Sequence, residues 1–125
     1  MDSIHTVLEK AAAGADFYLL LGDFLDEFYR SDDDTRRKMI AGRPPEISAV
    51  RREALGFAAS AVHKLANDFR LDVPEWVFEK RCYLHDEPFF ACGATGKLRL
   101  LFMYKSPAEF KHRNLFVDEN VLARV

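Results

Sequence analysis

Over the first seventy or so positions, apolar residues recur at the spacing of successive helix faces. The clearest period runs through Phe17, Leu20, Leu21, Phe24, Leu25 and Phe28, with Asp23, Asp26, Glu27 and Arg30 on the opposite side. Asp16 stands where a helix N-cap belongs. Upstream, Ser3 predicts a cap for a first helix with Ile4, Val7, Leu8 and Ala11 on one face, ending at Gly14. Downstream, the acidic turn Ser31 to Asp34 starts a third helix through Arg36, Arg37, Lys38, Met39 and Ile40, closed by Gly42. Pro44-Pro45 is a firm boundary, because neither residue sits inside a helix. A long helix is expected from about Glu46 to Phe69. Its stripe is Ile47, Val50, Ala54, Ala58, Ala61, Leu65 and Phe69, flanked by Leu55 and Val62. The alanines invite close approach by a neighbouring helix, and the Phe-rich helix is the expected neighbour.

From Leu71 the texture changes. Nine of the sixteen aromatics lie between Val73 and Val125, and Pro74, Pro88 and Pro107 interrupt that part, so ring packing rather than long helices must hold it together. Pro74 to Phe78 predicts a proline-initiated helical turn that inserts Trp76 and Phe78 into the core. Tyr83, Leu84, Pro88, Phe89 and Phe90 read as an irregular connection pinned by aromatic rings. Lys97 to Lys105 is apolar without a decisive period and fits strand or helix; Leu, Met and Lys tip it to helix, with Thr95 as its cap.

The densest local signals lie between Ser106 and Asp118. Ser106 is placed to cap a helix, Pro107 to occupy its first position and Glu109 to complete a capping box. Lys111, His112 and Arg113 complement the helix C-terminus, and Asn114 tolerates the left-handed conformation that ends it. Leu115, Phe116 and Val117 read as a buried extended segment. Asp118 is then expected to cap a last short helix through Val121, Leu122 and Val125.

The 125 residues are 49% apolar and 30% charged, which fits one soluble globular domain and excludes a disordered chain. There is no apolar run long enough to span a bilayer and no basic-then-apolar leader pattern, so no membrane association is expected. With only Cys82 and Cys92, both expected as free thiols, a cytoplasmic location follows. The net charge of −2 conceals an asymmetry. Met1 to Asp34 holds nine acids against two bases, −7, and the remainder sixteen bases against eleven acids, +5. Either the basic portion draws an acidic partner, or the two portions pack together and neutralise each other.

Most chemistries find too few groups. Cys82, His85 and Cys92 lack the second ligand pair of a structural zinc site. Cys82 and His85 could be close on one helical turn as nucleophile and base, but no oxyanion loop accompanies them. Gly93 to Lys97 lacks the spacing of a phosphate loop. No cofactor is implied. The basic residues from Arg36 to Arg52, with Arg37, Lys38, Arg43 and Arg51 between, could face nucleic acid through helices around Thr35–Gly42 and Ile47–Leu55, but the double proline is atypical of a helix-turn-helix.

The pattern Pro74-x-Trp76, Pro88-x-Phe90, Lys97-Leu98-Arg99 and Ser106-Pro107-x-x-Phe110-x-x-Arg113-Asn114-Leu115-Phe116-Val117-Asp118 covers a little under half the chain. It resembles an uncharacterised family of small prokaryotic proteins, in which the module is similar to antitoxin-like companions of nucleotidyltransferase-like proteins. The resemblance implies protein binding rather than catalysis, with a nucleotidyltransferase-like protein as partner. The aromatic and arginine residues of the pattern suit an interface core, so Trp76, Arg99, Phe110, Arg113 and Phe116 are the expected partner-binding residues. The competing expectation is a structural lock, with the rings buried and Arg113 paired to Asp118 or to a helix end.

Taken together, these readings predict a single all-α domain over residues 1–125. A helical bundle occupies 1–70, and an aromatic, loop-rich cap occupies 71–125. The expected function is a non-enzymatic, antitoxin-like interaction module that binds and restrains an enzyme. The alternatives are a DNA-binding regulator using Arg36–Arg52 and a small enzyme using Cys82 and His85. A homodimer through the Phe-rich helix is a further option.

Overall fold

A computed structural model describes residues 2–44 and 51–124, and of Cys92 only the backbone. Among the described residues six α-helices account for most of the chain. They are α1 (Ile4–Ala12), α2 (Phe17–Arg30), α3 (Asp33–Ala41), α4 (Arg52–Asp68), α5 (Gly96–Lys105) and α6 (Ala108–His112). Short 3₁₀ turns at Glu75–Phe78, Lys80–Cys82 and Ala91–Gly93 punctuate the second half. Two two-residue strands, β1 (Phe89–Phe90) and β2 (Leu115–Phe116), pair in parallel, Phe89 with Leu115 and Phe90 with Phe116. The fold is all-α, and none of the described helices is long and apolar enough to cross a membrane.

The first three helices start where their caps dictate. Ser3 Oγ accepts from Thr6 N at 3.2 Å, Asp16 Oδ1 from Tyr18 N at 3.0 Å, and Asp32 Oδ1 from Thr35 N at 2.9 Å, each satisfying a donor that the helix itself leaves unpaired. The amphipathic faces then bury the expected residues: Ile4, Val7 and Leu8 from α1, and Phe17, Leu21, Phe24, Leu25 and Phe28 from α2. Ile47 and Val50, at the start of the expected long helix, lie outside the described residues. Arg51 is extended, so the described helix starts at Arg52; of the remaining stripe Ala54, Ala58, Ala61 and Leu65 are buried with Leu55 and Val62, and Phe69 is half-buried at the C-cap.

The C-terminal part packs on the side of α4 that carries Gly56, His63 and Asn67, which at 100° per residue lies opposite the alanine stripe. The closest contacts of α4 are with α6 and the two turns Glu75–Phe78 and Lys80–Cys82. Contact with α2 is made by large rings, Phe17 against Phe57 at 6.1 Å and Phe28 against Phe69 at 5.3 Å between centroids. Gly56 sharpens the point. A Cβ there would stand 3.1 Å from the Cys82 carbonyl oxygen and 3.3 Å from Leu115 Cδ1, so the missing side chain admits the C-terminal part onto the helix.

Four local expectations are corrected. Trp76 is buried, its Nε1 donating to the Ile40 carbonyl at 2.9 Å, but Phe78 turns outward, because a 3₁₀ turn of four residues cannot direct both rings the same way. Thr95 precedes α5 but makes no side-chain cap bond. Ser106 caps no helix start; its hydroxyl is turned into the core, where it accepts from Val117 N at 2.7 Å and lies 2.6 Å from the Phe102 carbonyl oxygen. Asp118 begins a turn and not a helix, its Oδ1 accepting from Asn120 N at 2.8 Å.

Helix α4 ends with Leu71 N donating back to Ala66 O at 2.8 Å, and this geometry puts Arg70 at φ 56°, in the left-handed region. Glycine adopts that conformation without the Cβ clash that an arginine carries. Arg70→Gly is therefore expected to stabilise the protein by roughly 0.5–1 kcal/mol, read as a rightward shift of the urea midpoint at constant slope. An unchanged or lowered midpoint would contradict that.

Candidate functional site

The C-terminal motif is organised around a buried cation. Arg113 follows α6, is 0% exposed, and is the largest fully buried side chain among the described residues. Its Nη2 and Nε both donate to the Val77 carbonyl, at 2.9 and 3.3 Å. Its Nη1 donates to the Glu109 carbonyl at 3.0 Å and lies 3.1 Å from His63 Nδ1. The guanidinium also lies over the rings of Tyr83 at 5.0 Å and Phe78 at 5.8 Å. Neither Asp118 nor any other described carboxylate forms an ion pair with it; the charge is stabilised by carbonyl dipoles and ring faces. Burial pulls its pKa below the ordinary value.

An arginine can only donate, so His63 Nδ1 must accept, and the imidazole is neutral with its proton on Nε2. Burial, and next the Arg113 charge, depress the His63 pKa below 6.5. Glu109 and His112 are the other charged or titratable groups that act on it. Around this corner, Asn114 takes the left-handed φ of 68° and donates its amide to the Leu84 carbonyl at 3.0 Å. Leu84 N donates to the Arg113 carbonyl at 3.2 Å, and Phe89 N to the Asn114 carbonyl at 3.0 Å. Asn114 thus ends α6 and aligns β1 on β2.

The five expected partner-binding residues divide into two groups. Trp76, Phe110 and Arg113 are enclosed, with Phe110 edge-on to Phe57 at 5.1 Å, and in this conformation none can touch another molecule. Arg99 is exposed and Phe116 is half-buried. Arg99 covers the Phe90 ring at 4.1 Å, and Phe90 stacks on Phe116 at 5.0 Å.

Helix α5, which carries Arg99, is exposed where its apolar composition suggests burial. Helix α5 buries Phe102 alone. At 100° per residue, Leu100 and Tyr104 point directly away from Phe102, with Leu101 and Met103 to either side. They are exposed accordingly, Leu100 by 65% and Tyr104 by 78%. A helix that is apolar all round is ordinarily covered all round. The signal was present in Leu98 to Tyr104, and what it lacked was any polar face to say which side meets water.

The other candidate chemistries are constrained by geometry. Cys82 is fully buried with Sγ 3.4 Å from the Trp76 carbonyl, and burial pushes its thiol up to about 11, far from the thiolate a nucleophile requires. His85 lies 3.3 Å from the Lys80 carbonyl and stacks on Tyr83. Among the described residues no three His, Cys, Asp or Glu side chains gather as metal ligands would. In the Arg36–Arg52 region, Arg36 pairs with Asp33, Arg37 with Asp34, Arg43 with Glu79 and Arg52 with Asp86, which leaves less charge for phosphates. The first four residues of the second helix expected there, Ile47 to Val50, lie outside the described residues.

Two consequences can be measured. Removing the buried guanidinium leaves a cavity and unpaired carbonyls at Val77 and Glu109, so Arg113→Ala is expected to lose about 3–5 kcal/mol in urea unfolding; a loss under about 1 kcal/mol would contradict the enclosed geometry. The depressed His63 pKa means that the unfolded chain binds this proton more tightly, so stability falls as pH drops below about 6.5. His63→Gln keeps an acceptor for Arg113 but cannot titrate, and its stability is expected to change less than the parent's between about pH 7 and 5; identical slopes would count against it. No family model, curated protein or solved structure matches this chain.

Proposed function

We propose that the chain is a non-enzymatic, antitoxin-like protein-interaction module that binds and restrains a partner enzyme, with a nucleotidyltransferase-like protein as the expected partner. The observation that supports this reading is the outward face of α5, where Leu100, Leu101, Met103 and Tyr104 are all exposed on one short helix. Scattered single apolar residues on a surface need no explanation, but a contiguous patch does. The half-buried stack of Phe116 and Phe90 under Arg99 adds the ring-and-guanidinium chemistry favoured at interface centres. Arg113 and Phe110 contribute from beneath: they fix α6 and β2, and Ser106 bonded to Phe102 O and Val117 N hangs α5 from them. The docking residues are then Leu100, Tyr104, Arg99 and Phe116, on a platform held by Arg113.

The test is co-expression with the product of the adjacent gene, followed by affinity purification. The parent chain is expected to retain that protein. The double variant Leu100→Asp, Tyr104→Asp is expected to release it while changing stability by less than about 0.5 kcal/mol, as exposed substitutions usually do. Retention by the double variant, or no complex with the parent, would overturn the reading.

A further inference from the structure

The contact between Arg113 and His63 is one that a single proton reverses. With the imidazole neutral, its Nδ1 accepts from Arg113 Nη1 at 3.1 Å. Protonation makes both ring nitrogens donors, and a guanidinium has no acceptor to offer them. Two like charges then face each other where a hydrogen bond stood, and one side chain must withdraw. Arg113 is enclosed and keeps the Val77 and Glu109 carbonyls. His63 is half-buried, with the outward Phe78 ring edge-on at 5.1 Å, so the imidazole is the group that turns away.

The surroundings of His63 offer its charge little shelter. From α6 and its end come Arg113, Glu109 and His112, and the turn Glu75–Phe78 presents the Phe78 ring. On α4 itself the neighbouring Lys64 is paired with Asp68 at 2.8 Å. Glu109 attracts an imidazolium, but its Oε2 already accepts from Asn67 Nδ2 at 2.9 Å. Burial and the Arg113 charge outweigh it, so the proton binds more weakly here than in an open chain.

What yields is the corner around Arg113. The turns Glu75–Phe78 and Lys80–Cys82, the five-residue α6 and the two-residue strands are each too short to stand alone. Helices α1, α2 and α3 pack on one another. The chain after Asp118 is tied to α2, with Tyr29 Oη donating to the Leu122 carbonyl at 2.8 Å and Arg124 Nε to Asp26 Oδ1 at 2.9 Å. An opening is thereby confined to the stretch between α4 and that tie. We infer that protonation of His63 is a switch, which shifts the corner made by Phe78–Leu84, α6 and β2 toward an open state while α1–α3 stay folded. Ser106 hangs α5 from Val117 at the edge of that corner, so mild acid also withdraws the docking platform. That consequence rests on α5 being the docking face, as proposed above.

Amide hydrogen exchange of the full chain at about pH 7 and about pH 5, corrected for the intrinsic pH dependence of exchange, tests the switch. The amides of Leu84, Phe89 and Asn114, all hydrogen-bonded in the corner, are expected to lose protection several-fold at the lower pH. The ceiling is about 25-fold, for an unfolded-chain imidazole of pKa about 6.5 that stays neutral in the closed corner. Amides of Leu21 to Phe28 in α2 are expected to keep theirs. In His63→Gln, which retains an acceptor for Arg113 but cannot titrate, the acid loss is expected to vanish. Should that variant fold poorly, nitrogen-15 titration of the parent's imidazole decides, because the contact of Nδ1 with Arg113 must disappear as the ring is protonated. Unchanged protection in the corner, an equal loss in α2, or a loss that persists in His63→Gln would overturn the switch. So would a protonated His63 still in contact with Arg113. Co-purification with the partner at the two pH values reads the consequence separately. A complex retained equally at both removes acid control of docking; no complex at either overturns the α5 reading and leaves the switch to the exchange data.

Discussion

A guanidinium with no carboxylate beside it sits at the centre of this fold. Taking such an ion out of water costs on the order of several kcal/mol, and Arg113 offsets that cost by donating to two carbonyls and an imidazole nitrogen and by lying against two aromatic rings. The groups it engages come from four places: His63 on α4, Val77 and Phe78 on the turn after Pro74, Tyr83 on the following loop, and Glu109 on α6. None of these segments is long enough to hold its place by its own helicity, except α4. The buried cation fastens the others to α4, and Gly56 leaves room for them to approach.

The rest of the C-terminal half hangs from that fastening. Asn114, next in the chain, turns left-handed and sets β2 beside β1; Val117 then receives the Ser106 hydroxyl, which also reaches the end of α5. Helix α5 is thus suspended at its C-terminus and through Phe102, while its remaining apolar side chains face outward. The lock and the docking face are different parts of one motif. Residues that seemed equivalent as ring-and-arginine anchors, Arg99 and Arg113 or Phe116 and Phe110, separate into accessible and enclosed by where α6 and β2 put them.

Much of the N-terminal half was legible because its signals are local. A cap residue bonds an amide three positions away, and an amphipathic period repeats within a single helix, so Ser3, Asp16 and Asp32 and the buried faces behind them could be read directly. Asn114 belongs to the same class. The larger failures are non-local. Ser106 had the chemistry of a cap, but its hydroxyl found Val117 instead, eleven positions on. The pairing of Phe89–Phe90 with Leu115–Phe116 joins dipeptides too short to show any alternation. Arginine is among the residues least often fully buried, so nothing in the composition pointed to Arg113 as core, and the exposed face of α5 could not be told from a buried run until its surroundings were known.

The account depends most on Arg113 being an internal, fully engaged ion and not a docking group. Nitrogen-15 NMR of the arginine side chains reads this directly, because a guanidinium held from both sides cannot rotate freely about its C–N bonds. The account predicts separate, slowly exchanging Hη resonances for Arg113 at neutral pH, with contacts to Val77 and His63. A single averaged, rapidly exchanging Hη signal, of the kind a solvent-facing arginine gives, would contradict it.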